Sequence, residues 1–244
     1  MSKLIVLVDY DNVELSLTRP GPVNFAKVLV PLIPGQVVSQ YSEINVRLYG
    51  GWRSQGRLTT IAQRLVPDIY ASSPAYVAIA HAGSTMQLRL TVELADKPIG
   101  LSSPLTETLV KERDLRKFRA RLVPWSHCAN PGTCTFNQFI GLTYNTACGN
   151  VGCANRLGNV FVRDEQKMVD TLIVADIAYQ ALSKKAKDIV IVSSDTDMWP
   201  GVLLALQAGC SVIHIHTKTG WKTQRHLLNT LGGQMGRFYK QLSV

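Results

Sequence analysis

The most informative part of the chain for its fold is Leu4-Ile5-Val6-Leu7-Val8-Asp9-Tyr10-Asp11-Asn12. Its first five residues are apolar and rich in branched side chains, a pattern typical of a strand buried on both faces of a parallel sheet. Asp9 and Asp11 follow this run, so we expect them at the carboxyl end of the strand. Ligands bind at that edge of open α/β sheets, and the stretch therefore predicts the position of a site as well as a fold.

Strands and helices alternate through the first and last thirds of the chain. After the first strand we predict a helix at Asn24–Ile33, a strand at Ile44–Tyr49 and a helix at Ser54–Val66 with Ser54 as its cap. The last third predicts a helix, a strand, a helix and a strand, at Glu165–Ser183, Ile189–Val192, Trp199–Ala208 and Ser211–His216. This order predicts an α/β fold with a Rossmann-like parallel sheet flanked by helices.

The pattern changes in the middle of the chain. Strands are predicted at Met86–Leu94 and Lys117–Val123, before a stretch rich in Cys, Asn, Gly and Thr. We interpret residues 1–244 as a single domain in which residues 84–158 form an insertion or an elaborated third strand and loop.

The central segment contains four of the five cysteines, which are Cys128, Cys134, Cys148 and Cys153. Two pairs separated by a loop are typical of a structural zinc site closed by four thiolates, although each pair is more widely spaced here than usual. The segment is poor in core residues, so we expect structural Zn²⁺ to order it. The alternative is that the cysteines are simply small apolar side chains.

A second pair of aspartates, Asp195 and Asp197, follows the strand predicted at Ile189–Val192. Because the carboxyl ends of parallel strands can be neighbours, these residues are expected near Asp9 and Asp11. Carboxylates gathered in this way repel one another unless a hard cation neutralises them, and Mg²⁺ or Mn²⁺ prefers oxygen ligands. The alternative is that each pair caps the helix that follows it.

Two more aspartates lie on the helix predicted at Glu165–Ser183. Asp170, in its first turn, can point towards the strand ends. Asp176 lies among apolar residues in the middle of the helix, and we expect it to be a hydrogen-bonded structural residue.

Three stretches together resemble the NYN subgroup of the PIN-like nuclease superfamily. They are Leu7-Val8-Asp9-x-x-Asn12, Lys167-x-x-Asp170-x5-Asp176, and Ser193-Ser194-Asp195-x-Asp197 with Pro200 after it. They occur in the order of that family and cover the two ends of the chain, whereas the middle is outside the resemblance. Met168 and Ser194 stand where glycine is common in the family, and Asp11 has no counterpart.

The resemblance implies a nuclease in which acidic residues hold one or two divalent cations that activate water for phosphodiester hydrolysis. Matched residue by residue, the acidic metal ligands correspond to Asp9, Asp170, Asp195 and Asp197, and Asn12 corresponds to a polar partner in the catalytic site. We therefore expect a metal-dependent ribonuclease that uses Mg²⁺ or Mn²⁺ and prefers RNA over DNA.

The formal net charge of +9 also predicts a polyanionic partner. The residues expected to contact nucleic acid are Trp52, Arg53, Lys111, Arg116, Lys117, Arg119, Arg121 and Lys167. The C-terminal part adds Lys218 and Lys222 beside Trp221, where a base could stack on the ring.

Two other functions stay open at this level. One is a PIN-like module without catalysis that binds RNA or a protein. The other is a phosphatase similar to the haloacid dehalogenases, with Asp9 as nucleophile and Asp11 as acid, although Asp195 and Asp197 are spaced unlike the acidic pair of that family. No run of about twenty apolar residues occurs, so we expect a cytoplasmic protein without a membrane span.

Overall fold

The apolar run at the start of the chain lies in the middle of a seven-stranded sheet. The structure, a computed structural model, describes residues 3–112, 142, 145–160, 163–166, 168–218 and 220–243. Its strands are Lys3–Asp9 (β1), Glu43–Tyr49 (β2), Arg53–Ser54 (β3), Arg57–Leu58 (β4), Ala75–His81 (β5), Ser84–Leu94 (β6), Leu109–Glu112 (β7), Arg163–Gln166 (β8), Asp188–Val192 (β9), Ser211–His216 (β10) and Tyr239–Ser243 (β11). Its α-helices are Leu15–Thr18 (α1), Pro22–Leu29 (α2), Gly35–Val38 (α3), Thr60–Ser72 (α4), Leu157–Val160 (α5), Val169–Leu182 (α6), Trp199–Gln207 (α7) and Arg225–Leu228 (α8).

The main sheet has the spatial order β5-β6-β2-β1-β9-β10-β11. All neighbouring strands in it are parallel except β5 and β6, which form an antiparallel hairpin. Helices flank this sheet, and the α/β fold with a mostly parallel sheet is therefore confirmed.

Side chains of β1 enter both hydrophobic clusters of the sheet. Leu4, Val6 and Val8 pack in the cluster that contains the apolar residues of α2 and α4. Leu7 packs in the cluster that contains those of α6 and α7. Because helices cover both faces, the strand needs apolar residues at successive positions, which explains the unbroken run that predicted it.

Three helix predictions differ from the structure at their starts. The helix predicted from Ser54 begins at Thr60, because Gln55 and Gly56 adopt positive φ and close the β3–β4 hairpin instead. The cap is Thr59, whose side chain accepts a hydrogen bond from the Ala62 N–H. Helix α2 begins before the predicted Asn24, after Gly21 and with Pro22 at its first position, where a missing N–H costs nothing.

Helix α6 begins at Val169 instead of Glu165, because residues 163–166 form β8. Met168, directly before it, has a φ of 64°, in the left-handed region that favours glycine. Met168 is also the residue noted in the motif comparison above as standing where glycine is common.

By contacts along the chain, the protein divides into two units, residues 1–109 with 166–244 and residues 110–165. Strand β6, which lies within the segment 84–158, belongs to the main sheet through its parallel pairing with β2. The predicted strand at Lys117–Val123 lies outside the described residues. Within the described ranges, every helix is too short or too polar to cross a bilayer.

Candidate functional site

The crevice at the carboxyl edge of the sheet forms where the strand order reverses. From β1 the sheet continues through β2 and β6 on one side and through β9 and β10 on the other. The loops after β1 and β9 therefore leave in opposite directions and open a crevice, which is the usual ligand site of such sheets. Asp9 ends β1, and Ser193 to Asp197 follow β9 at this point.

Asp9 is the most buried acid of the crevice, with 1% of its surface exposed. Its Oδ2 accepts hydrogen bonds from Asn12 Nδ2 at 2.7 Å and from Ser193 Oγ at 2.8 Å. Its Oδ1 is buried as well and has no hydrogen-bond partner among the described residues. Burial raises the pKa of Asp9, the two hydrogen bonds oppose this rise, and the charges of Asp11 and Asp195 add to it.

Ser193 connects the loop after β9 to Asp9. While its Oγ donates to Asp9, it accepts a hydrogen bond of 2.9 Å from the Asp195 N–H. The Asp195 Oδ1 in turn accepts the N–H groups of Thr196 at 2.6 Å and Asp197 at 3.2 Å. These bonds fix the backbone that carries two of the predicted ligands, and sequence reasoning missed this role of Ser193.

Asp170, in the first turn of α6, completes the acidic group. Partial burial raises its pKa to about 6, and the nearby charges of Asp9, Asp195 and Asp197 contribute to this rise. Charges influence one another in this way only over short distances. The structure therefore brings the four predicted acidic residues into one electrostatic group.

The donors of this group fit a hard divalent cation chemically. They are carboxylate oxygens, and the unpartnered Oδ1 of Asp9 is a buried acceptor of the kind such a cation would satisfy. Among the described residues, no three Asp, Glu, His or Cys side chains already converge at metal-ligand geometry.

A cleft of about 240 Å³ adjoins the acidic group. It is lined by Asn12, Ser194, Asp195, Thr196, Lys218, Trp221 and Gln224. Lys218 and Trp221 come from the segment that the sequence analysis noted for its charge, whereas the polar lining by Gln224 had no sequence signal. The cleft thus joins a cation and an aromatic ring to the predicted catalytic residues.

Asp176 has the structural role expected for it. It is fully buried, and its Oδ2 accepts hydrogen bonds from Tyr49 OH at 2.6 Å and Arg47 Nη2 at 3.4 Å. Its Oδ1 accepts the Ile99 N–H at 2.6 Å. Both oxygens are therefore used within the fold, and the prediction is confirmed.

Two predicted nucleic-acid contacts need correction. Trp52 is fully buried, and its indole N–H donates to the Leu48 carbonyl at 2.6 Å, so neither face of the ring is open to a base. The side chain of Arg53 is engaged with Asp96, at 2.8 Å from both Nε and Nη2. These residues therefore stabilise the loop after β2 instead of presenting a binding surface.

Lys111 is part of β7. Outside the described residues lie Arg116, Lys117, Arg119, Arg121 and Lys167.

Two of the four predicted zinc ligands belong to the residues that the structure describes. The pKa of the Cys153 thiol is lowered, mainly by the Asn155 backbone and to a smaller extent by the Cys148 side chain. Cys128 and Cys134 lie outside the described residues. The zinc site stays a prediction, which the zinc content of the purified protein tests.

Comparison of the chain with protein-family models, curated proteins and solved structures gave no match. The proposed function is therefore based on the geometry of the crevice and on the sequence motifs.

Proposed function

We propose that this chain is a divalent-metal-dependent ribonuclease of the NYN, PIN-like type that hydrolyses phosphodiester bonds. The observation that carries the proposal is the group of four aspartates at the strand-order reversal, in which one buried carboxylate oxygen of Asp9 has no partner in the described part of the chain. A folded protein leaves such an oxygen unsatisfied at a cost, and functional sites are where that cost is found.

Asp9, Asp170, Asp195 and Asp197 would hold Mg²⁺ or Mn²⁺ in this proposal. A divalent cation bound there supplies a Lewis acid that makes hydroxide available from water near neutral pH. Asn12 and Ser193 orient the Asp9 carboxylate by occupying its Oδ2, so that Oδ1 stays available as a ligand.

The phosphatase alternative receives less support from the geometry. Asp11, which would have to act as the acid, has its Oδ2 engaged by the Gly51 N–H at 2.7 Å. This bond ties the loop after β1 to the loop after β2. We therefore assign Asp11 a structural role.

The test is cleavage of labelled single-stranded RNA and DNA in Mn²⁺, Mg²⁺ or EDTA. The wild type is compared with Asp9→Asn/Asp195→Asn and with Asp68→Asn, a matched change at an exposed aspartate of α4. We expect metal-dependent cutting of RNA by the wild type and by Asp68→Asn, and a loss of at least about 100-fold in the double variant.

Wild-type protein that binds RNA equally well in EDTA and never cuts it would overturn the proposal and favour a non-catalytic binding module. Release of inorganic phosphate from small phosphomonoesters, without cutting of RNA, would favour the phosphatase. Cutting that survives in the double variant would remove the aspartates from the mechanism.

A further inference from the structure

We infer that Lys218 and Trp221 form a nucleotide-binding platform, on which Trp221 stacks an unpaired base while Lys218 contacts the adjoining phosphate. The substrate class is then single-stranded nucleic acid. This inference rests on the proposed function, because it names the substrate of the same site.

The two side chains of the platform lie next to each other in the lining of the cleft. Trp221 exposes 47% of its surface, and the Lys218 Nζ lies 4.8 Å from the centre of its ring. Both line the cleft that also contains Asn12 and Asp195. A base on the ring would therefore place its phosphate near a cation and within reach of the acidic group.

The backbone at Thr217 and Lys218 is held in place by hydrogen bonds. The Ser194 Oγ accepts the N–H groups of Thr217 at 3.0 Å and Lys218 at 3.1 Å. The Thr217 hydroxyl donates to the Asn12 carbonyl at 3.4 Å. Thr217 and Lys218 are thereby tied to the loops after β9 and β1, which carry the proposed ligands.

Two residues after Trp221 the backbone is held by Thr223, which is almost completely buried. Its N–H donates to Gln241 Oε1 at 3.0 Å, and its hydroxyl lies 2.6 Å from Tyr239 OH and 3.1 Å from His216 Nε2. A platform fixed at both ends loses little conformational entropy when a ligand binds. Trp221 is thus exposed between two anchored parts of the backbone, at Thr217–Lys218 and at Thr223.

The pairing of an aromatic ring with a cation indicates the kind of ligand. An aromatic face next to a cation is the combination that single-stranded nucleic-acid sites use, because every unpaired base offers a π face and every link a phosphate. In a duplex the base faces are stacked inside the helix and cannot reach the ring. The net charge of +9 agrees with a polyanionic ligand.

The experiment is equilibrium binding of short labelled oligonucleotides to the full chain in EDTA, where cleavage does not interfere. The probes are single-stranded RNA, single-stranded DNA and duplex RNA of one sequence. The variants are Trp221→Leu, Trp221→Phe and Lys218→Gln. The controls are Tyr70→Leu and Lys27→Gln, which change an exposed aromatic and an exposed lysine on α4 and α2.

We expect Trp221→Leu to weaken single-strand binding about tenfold or more, and Trp221→Phe to restore most of it because a stacking face remains. Lys218→Gln should weaken it less and lower the slope of log affinity against log salt by about one ion. Duplex RNA should bind weakly and respond to neither Trp221 variant. RNA and DNA single strands that bind alike would show that base and phosphate are read without the sugar.

Single-strand affinity unchanged by Trp221→Leu, or lost equally in Trp221→Phe, would overturn the platform. The two proposals fail separately. Wild-type cleavage whose KM is unaffected by Trp221→Leu would remove the platform and keep the nuclease, whereas binding that depends on Trp221 without any cleavage would remove the nuclease alone.

Discussion

Two buried aspartates of this protein, Asp9 and Asp176, differ in what their oxygens contact. Asp176 is fully buried, and both of its oxygens accept hydrogen bonds, from Tyr49 and Arg47 on one side and from the Ile99 backbone on the other. Asp9 is 1% exposed, and only its Oδ2 is satisfied. The negative charges of Asp11 and Asp195 act on Asp9, whereas Asp176 forms an ion pair with Arg47.

A structural buried acid can be separated from a functional one by whether the fold supplies partners for both carboxylate oxygens. Burial of a charge is tolerated when the fold itself supplies partners, and removal of one partner is then costly. A buried carboxylate oxygen without a partner destabilises the fold until a ligand provides one. Three predictions test this distinction on the two regions.

The largest effect is expected at Asp176. Asp176→Ala leaves the Tyr49 hydroxyl and the Ile99 N–H without their acceptor and removes one of the partners of Arg47, so the free energy of unfolding should fall by about 3 to 5 kcal/mol. Urea unfolding measures it in the metal-free protein. Asp9→Asn is the matched comparison, and it should cost about 1 kcal/mol or less, because its amide oxygen can still accept the two bonds from Asn12 and Ser193.

A graded variant protects this test if Asp176→Ala fails to fold. Tyr49→Phe removes one bond to Asp176 and should cost about 1 kcal/mol. Equal losses in Asp176→Ala and Asp9→Asn would contradict the distinction drawn here.

A smaller effect is expected when Asp9 keeps its carboxylate but loses its orientation. Ser193→Ala removes the hydroxyl that donates to Asp9 and accepts from the Asp195 N–H, and RNA cleavage should fall about tenfold. The readout is the metal concentration needed for half-maximal cleavage, which should rise with little change in single-strand affinity. Ser72→Ala, at an exposed position of α4, should leave both values unchanged. A tenfold loss without any shift in metal requirement would instead indicate a purely structural role.

The smallest effect concerns Asp170 and pH. Its folded-state pKa is raised to about 6 from an ordinary 3.8, so its contribution to stability is fully present below about pH 3.8 and is lost as the pH rises through about 6. Metal-free Asp170→Asn should therefore unfold with about 1 kcal/mol more free energy than the wild type at pH 8, after allowance for solvent screening, and with no advantage at pH 4.

Thermal or urea unfolding in EDTA at both pH values measures this difference. Mn²⁺ should reverse the order at pH 8, because it binds the folded wild type. A variant that is less stable than the wild type at pH 8 in EDTA would show that Asp170 is a structural residue like Asp176.

The parts of the fold that sequence could predict are those with a strong local pattern. The central strands could be predicted because they are apolar runs, and Asp9 and Asp195 could be placed because each follows such a run. Strand β5 was missed although its buried and exposed residues alternate, and β11 was missed because it lies at the edge of the sheet, where few positions need to be apolar.

The site could be predicted only as a set of residue types. Nothing local shows that Ser193 reaches Asp9, because that bond forms through the pairing of β1 with β9. Trp52 and Trp221 both stand beside basic residues in the sequence, yet one is buried and the other half exposed. Burial of an aromatic ring depends on tertiary packing, which the flanking residues do not reveal.

The central position of β1 also affects when the site can exist during synthesis. The bond between Asp9 and Ser193 joins residues 184 positions apart, and β1 stays without its second neighbour until β9 has been made. Chains are made from the N-terminus, and contacts of such long range form late in folding. A ribosome that has not yet made β9 is therefore not exposed to the assembled acidic group, which matters for an enzyme proposed to cut RNA.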